Sequence, residues 1–374
     1  MADEIVLKIE GTVYGGWEAV SVRQVLAALA STFRLTITER WPGQLSRQSV
    51  RIGARCEVWI GQERLITGWI EERNRKRDAK THTITVSGRD ITCDLIDCSI
   101  ASTPTTWKGQ KLERIAADLI KPFGLKLKVQ TSTGTAFKIF AAEPGEEVFA
   151  AITRACRMRG VIVGTDNAGD VLLFTPSLRL VKGSLEEGRN IQDIDVKDDA
   201  KDLFSVYVAK GQAQGGDDNT PDDAAAPSGS AKDIGVTRYR PTVIIADEQG
   251  TPASLKTRAR WEATTRSAKS QNITIEVRGW RDDEGKLWET GTLIPVHAPS
   301  DEVDMTLMIS EVEFVVDGSK GKYSRLSLVR KEAFTIEPLD EEDPGPQTSK
   351  SKGSGDLMSG LQPGTIIEKG FAAK

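Results

Sequence analysis

Histidine is almost missing from this chain: 374 residues hold two, His82 and His297. That scarcity removes most imidazole-dependent chemistry, from general-base catalysis to His-ligated zinc. No HExxH or GxSxG string occurs, and no cysteine is paired with a histidine in a catalytic arrangement. Cysteine is sparse too. Cys56, Cys93, Cys98 and Cys156 form no CxxC pair, and Cys93 and Cys98 have no partner pair to complete a zinc ribbon. Cys56, Cys93 and Cys98 read as strand residues and Cys156 as part of a helix's apolar face, all free thiols of a chain folded in a reducing cytoplasm. No apolar run approaches the roughly 20 residues that span a bilayer. Met1–Ile5 shows no basic stretch leading into an apolar one, so no secretory leader is expected. The net charge of −4 gives no global footprint for nucleic-acid binding.

The remaining chemical candidates are weak. Gly318-Ser319-Lys320-Gly321-Lys322 lacks the P-loop spacing and falls where two strands turn. Asp193, Asp195, Asp198, Asp199 and Asp202 could supply an acid/base pair for glycan hydrolysis, but they crowd a polar segment that reads as a solvated connection. Asp217, Asp218, Asp222 and Asp223 are interrupted by Pro221 and lack the glycine of a calcium loop. Glu71–Asp78 is locally basic and reads as a solvated hairpin turn or a docking loop. No catalytic residue, metal, cofactor or small-molecule substrate is expected.

What the chain does contain is a repeat. Its length suits two to four domains. An apolar-periodic segment (Val22, Val25, Leu26, Leu29) leads into alternating Phe33, Leu35 and Ile37. Gly53-x-x-Cys56-x-Val58-x-Ile60, Leu65–Ile70, a charged turn and Ile84-x-Val86 follow. A helical pattern over Pro252–Ser270 leads into Ile273, Ile275 and Val277. Gly291-x-x-Ile294-x-Val296, Met308–Phe314, a charged turn and Leu326-x-Leu328 follow in the same order. Counterparts lie about 240 residues apart, and one β-module used twice lets three copies present six quasi-equivalent units, which suits a ring better than a catalytic cleft.

Between the repeats, Trp107–Phe123 and Glu146–Met158 read as amphipathic helices and Leu125–Val129 as a strand. Val161–Gly164 and Val171–Phe174 read as a hairpin around Asp166–Asp170. Leu203–Val208 reads as a strand opening the surroundings of the second module. The expected architecture is mainly β with an α+β insert. Two β-barrel modules, at 1–103 and 181–335, flank an α+β domain at 104–180. An acidic flexible insertion occupies about 211–233, and a tail runs over 336–374.

Leu65-Ile66-Thr67-Gly68-Trp69-Ile70-Glu71, His82-Thr83-Ile84-Thr85-Val86-Ser87-Gly88-Arg89-Asp90 and Asp94-Leu95-Ile96-Asp97-Cys98-Ser99 together resemble the baseplate hub proteins of Mu-like contractile-tailed phages. The likeness extends over roughly residues 3 to 335, including Gly279-Trp280, and its motifs are structural rather than catalytic. It implies tube-like barrels, two per chain, in a homotrimeric pseudo-sixfold ring that joins a sixfold tail tube to a threefold spike trimer and contacts other baseplate proteins. It also implies that DNA passes through the lumen without specific binding, and that the protein is assembled in the host cytoplasm into the virion tail. Two other readings stand beside it: a tail-associated peptidoglycan hydrolase, and a monomeric module binding ligands through the α+β domain.

A ring leaves apolar positions for neighbours to cover. Of eight tryptophans, Trp17, Trp41, Trp59, Trp69, Trp280 and Trp288 are interface candidates. The foremost are Trp69 and the pair Trp280 and Trp288 beside the polar turn Arg281–Gly285.

Overall fold

The computed structural model describes residues 3–38, 50–78, 82–211, 227–245 and 252–334. Trp41, most of the acidic insertion and the tail lie outside the described residues.

The first repeat comprises β1 (Ile5–Ile9), β2 (Thr12–Tyr14), β3 (Ala19–Val25), β4 (Thr32–Thr38), β5 (Arg55–Ile60), β6 (Glu63–Arg77) and β7 (His82–Asp90). The segment around Val22 and Val25, expected to be the counterpart of the later helix, is strand β3: Val20 and Val22 alternate inward as period-two burial requires.

The middle region contains α1 (Cys93–Asp97), β8 (Thr106–Gln110), α2 (Leu112–Ile120), β9 (Leu127–Val129), β10 (Phe137–Ala141), α3 (Val148–Arg157), β11 (Ile162–Thr165) and β12 (Val171–Phe174). Helix α2 starts five residues after Trp107, because Trp107 lies in β8 and pairs with Phe140 of β10. Leu112, Ile115, Leu119, Val148, Ile152 and Cys156 fill a core separate from the sheet of the repeats. The β11–β12 hairpin forms as expected. Asp166 accepts from the backbone N–H groups of Ala168 and Asp170, and Gly169 takes the left-handed φ of +86°. Cys93 opens α1 and Cys98 caps it, rather than belonging to strands. Burial pushes the thiols of Cys56, Cys93 and Cys156 up to about 12, so they remain protonated; Cys98 is exposed.

The second half contains β13 (Leu185–Glu186), β14 (Ile191–Asp198), β15 (Val206–Lys210), β16 (Ser228–Lys232), β17 (Pro241–Ile245), α4 (Pro252–Lys269), β18 (Gln271–Arg278), β19 (Leu293–Ala298), β20 (Val303–Asp317) and β21 (Gly321–Val329). Strand β15 does not open the second repeat. It lies between β16 and β17 in a small sheet of its own, where Tyr207 and Ala209 pack on Leu255 and Ala259 of α4. Residues 228–232, expected within the acidic loop, are its edge strand β16.

The duplication is visible strand by strand. β6 and β20 each have 15 residues, and β7 and β21 each have nine. Both long strands carry a register shift at the matching place, between Ile70 and Glu72 and between Ile309 and Glu311. Gly53 and Gly291 both have φ near +77°, and their N–H groups donate to the carbonyls of Ile70 and Ile309, respectively. Phe33 pairs with Gly88 and Ile273 with Leu328, so Leu326 corresponds to Val86, not to Ile84 as the sequence spacing suggested. Strand β14 pairs with β18 as β3 pairs with β4. Helix α4 and its small sheet therefore interrupt the second repeat at the position of the short β3–β4 turn.

Among the described residues the strands do not close into two separate barrels. They form one sheet whose path runs β14-β18-β21-β20-β3-β4-β7-β6-β5-β1-β2, with β19 beside β20 and β13 beside β19. The reason is local. The bulge leaves the second half of β20 free of β19, and β3 takes that edge.

The resembling motif is a corner of this sheet. A Cβ on Gly68 would lie 1.9 Å from the Arg89 carbonyl oxygen, and one on Gly88 1.9 Å from that of Trp69. Arg89 spans Glu71 (2.6 Å) and Asp97 (Nη1 to Oδ1, 3.2 Å), while buried Asp90 accepts from the N–H groups of Ser31 (2.6 Å) and Thr92 (2.8 Å). Gly88→Ala should therefore cost about 3 kcal/mol in urea unfolding, with backbone rather than a pliable side chain in the way. Gly318→Ala, with open space around its Cβ position, should change stability by less than about 0.5 kcal/mol.

Candidate assembly interface

The sheet joins its two repeats through one antiparallel seam. Glu311–Val316 of β20 lie opposite Val25–Val20 of β3, with Phe314 facing Val22 and Glu313 facing Arg23. One face of the seam is apolar and closed: Val22, Val312 and Phe314 are each 0% exposed. Burying each is worth about 1.5–3 kcal/mol, so this seam is a permanent part of the fold.

The other face is a chain of charge. Arg23 Nη2 donates to Glu311 (2.6 Å), Ser21 Oγ to Glu313 (2.6 Å) and Arg325 Nη1 to Glu313 (2.7 Å). Arg325 Nη2 also reaches Glu276 (2.9 Å), which accepts from Lys320 Nζ as well (2.7 Å). Glu276 is 5% exposed, so its charge needs both cations. Burial alone would raise its carboxyl; Lys320 and Arg325 outweigh that and hold it below the ordinary 4.5. At the far end, Arg281 grips Asp3 (2.7 Å) and Glu63 (2.6 Å), tying the polar turn of the second repeat to the first. The Arg281 hydrogen bond holds the Asp3 carboxyl below its usual value.

Among the described residues the matching edges elsewhere are open. In β20 the segment 303–308 pairs with β19 and 311–316 with β3. In β6 the segment 63–69 pairs with β5, but among the described residues nothing pairs with the same edge of Glu72–Arg77. Likewise, among the described residues, β14 pairs with β18 on one side only. The basic run Glu71–Asp78, expected to be a turn, is thus the open half of a long strand. The acidic run Asp193–Asp199, expected to be a connection, is largely an outermost strand. Asp195 and Asp198 are exposed along that strand, not gathered in a cleft.

Trp280 and Trp288 are 3% and 8% exposed and pack in the chain's own core; the Trp280 indole donates to the Val315 carbonyl (3.1 Å). Trp69 is half-buried in β6, and its indole nitrogen is enclosed without a hydrogen-bond partner, as is that of Trp288. Strand edges offer a candidate contact surface beside Trp69, and hydrophobic ranking does not find them. The usable signal was the clustering of opposite charges in two segments. His297 is exposed and lies 3.2 Å from Asp304. Among the described residues, no group of three His, Cys, Asp or Glu side chains could hold a metal.

Comparison with known proteins decides the family. The chain is 32% identical over 369 residues to the baseplate hub protein gp44 of Escherichia phage Mu, covering 96% of this chain and 95% of that protein. The chain belongs to the phage Mu baseplate hub family. Residues 4–90 match the model of the N-terminal domain of Mu phage GpP-like baseplate assembly proteins. Residues 92–175 match the second domain of gp44-like baseplate hub proteins, and 251–337 the fourth domain of Mu phage GpP. Two solved structures share the fold of this hub family. The 43 kDa tail protein of prophage MuSo2 from Shewanella oneidensis has a TM-score of 0.80 at 31% identity, covering 89% of this chain and all of that one. A tail protein from Neisseria meningitidis MC58 has a TM-score of 0.73 at 21% identity, covering 90% and 99%. The baseplate hub is a structural protein of the phage tail, located in the virion.

The ion network makes seam stability depend on pH in a definite direction. Glu276 and Asp3 have lowered folded-state values, so their contribution is complete above the ordinary 4.5 and 3.8 and is lost as pH falls through the lowered values. Thermal melts should show the midpoint falling as pH drops below the ordinary 4.5 and on through the lowered folded-state values. Glu276→Gln should be less stable than the native chain by about 1–3 kcal/mol at pH 7 and have a shallower slope in that acid window.

Proposed function

We propose that this hub protein works as a homotrimeric adaptor, with its two repeats as six quasi-equivalent units of one ring. The observation that carries the reading is the seam between β20 and β3. Two copies of one module are already joined edge to edge in the chain, and among the described residues the second half of β6 and the outermost strand β14 offer the two edges that the seam uses. Three chains supply three such internal seams and need three more between chains to close, which makes threefold symmetry outside and near-sixfold symmetry within.

A ring of that symmetry can receive a sixfold tail tube on one side and a threefold spike on the other. Residues 1–103 and 181–335 are its tube-like, ring-forming parts, with 104–180 as a peripheral α+β domain. DNA passes through the lumen during ejection, for which the net charge of −4 is suitable because it disfavours adhesion to phosphate. Assembly takes place in the host cytoplasm, which agrees with three buried, protonated thiols. The role is mechanical, not enzymatic: Asp193, Asp195 and Asp198 stand exposed along β14, apart from Asp199 and Asp202 beyond its end. Trp280 and Trp288 support the interface from behind by stiffening the β18–β20 region.

The solution mass tests the reading. Light scattering after size exclusion at micromolar concentration should give three times the 40.8 kDa chain mass. A mass of one chain, unchanged on adding the spike protein, would exclude the adaptor.

A further inference from the structure

The two open edges are complementary, and the internal seam supplies their register. We infer that Glu72–Arg77 of one copy pairs antiparallel with Ile194–Asp199 of a second copy, as Glu311–Val316 pairs with Val20–Val25 within the chain. The inference rests on the trimeric reading above and specifies its contact.

The register follows from correspondences already present. Glu72 opposes Ser87 as Glu311 opposes Ser327, so Glu72–Arg77 takes the place of Glu311–Val316. Val22 opposes Phe33 and Val196 opposes Ile273, with Phe33 and Ile273 equivalent, so Val196 takes the place of Val22. In the seam Phe314 faces Val22 and Val312 faces Gln24. Transferred to the open edges, Arg75 faces Val196, Arg73 faces Asp198, and Lys76 faces Asp195. One edge carries Arg73, Arg75, Lys76 and Arg77 against a single acid, and the other carries Asp195, Asp198 and Asp199 against a single base.

Opposite charges directly across antiparallel strands stabilise the pair. The internal seam uses the same device, with Arg23 held by Glu311 beside Glu313. One facing pair is adverse, Glu72 with Asp199, at the end of the ladder. Each of the two already has a partner: Ser87 Oγ donates to Glu72 (3.2 Å), and the Lys201 N–H to Asp199 (2.9 Å). Where the internal seam buries Phe314 and half-buries Val316, the proposed one places Arg75 and Arg77 against Val196 and Ile194, their stems covering the apolar side chains while the guanidinium groups stay wet. The contact between copies is thus more ionic than the contact within the chain. It recognises its own complement and resists the self-pairing of two like edges, since two basic or two acidic strands repel.

A charge exchange tests this directly in the full chain. Arg73→Asp with Lys76→Asp should weaken self-association at least about tenfold by light scattering, with the far-ultraviolet spectrum unchanged. Asp195→Lys with Asp198→Lys should do the same, and the four substitutions together should restore the trimer. A second variant reads the register: Lys76→Cys with Asp195→Cys, on a Cys98→Ser background, should oxidise to a covalent trimer, because directly opposed strand positions lie within disulfide reach. A native trimer whose reversed-charge variants associate normally, or whose cysteine pair gives no covalent link, overturns the seam and leaves the trimer standing. A native chain that stays monomeric with and without the spike protein overturns both.

Discussion

The antiparallel seam between β20 and β3 is the constraint on which the rest of this protein depends. Without it the chain would be two small sheets on a string; with it, the two repeats share one sheet and one apolar core running from Ile5 to Leu328. The seam exists because a one-residue bulge splits β20 into two segments, each presenting the same edge to a different partner. That geometry makes a module able to chain with copies of itself.

The repeats keep their backbone and differ in what fills the edge. In the second, Val312 and Phe314 are fully buried and bind β3 for good. In the first, the same positions are Arg73 and Arg75. Apolar burial is worth about 1.5–3 kcal/mol per side chain, whereas a solvent-exposed ion pair contributes about 0–1 kcal/mol. A permanent joint and a reversible, specific one can therefore be built on a single backbone pattern. The small α4 sheet and the middle domain leave this plan alone: one is inserted at the β14–β18 connection, and the other follows the last strand of the first repeat.

Period-two alternation and the Gly68, Gly88, Arg89 and Asp90 motif made the strands, the duplication and the family legible, since these depend on local backbone geometry and burial. The middle helices and hairpin were equally readable from their apolar stripes and from the Asp166–Gly169 turn. The differences have separate causes. The basic run after Ile70 read as a turn or a docking loop because its side chains are all charged or polar, and the acidic run before Phe204 as a connection because its carboxylates mask the short alternation of Ile194 and Val196. The apolar-periodic segment Val22, Val25, Leu26 and Leu29 matches the later helical pattern because a short apolar segment satisfies both periods. Trp280 and Trp288 looked like anchors, yet their burial depends on Val315 and on the core around them, which composition does not encode.

By itself, then, the sequence determined a repeated β-module, a two-helix middle domain and the hub family, through short-range patterns that any fold must honour. Only the tertiary structure decided which edges are joined and which remain open. Strand pairing sets residues about 290 positions apart side by side, as with Glu313 and Arg23, through backbone hydrogen bonds that are nearly indifferent to side-chain identity.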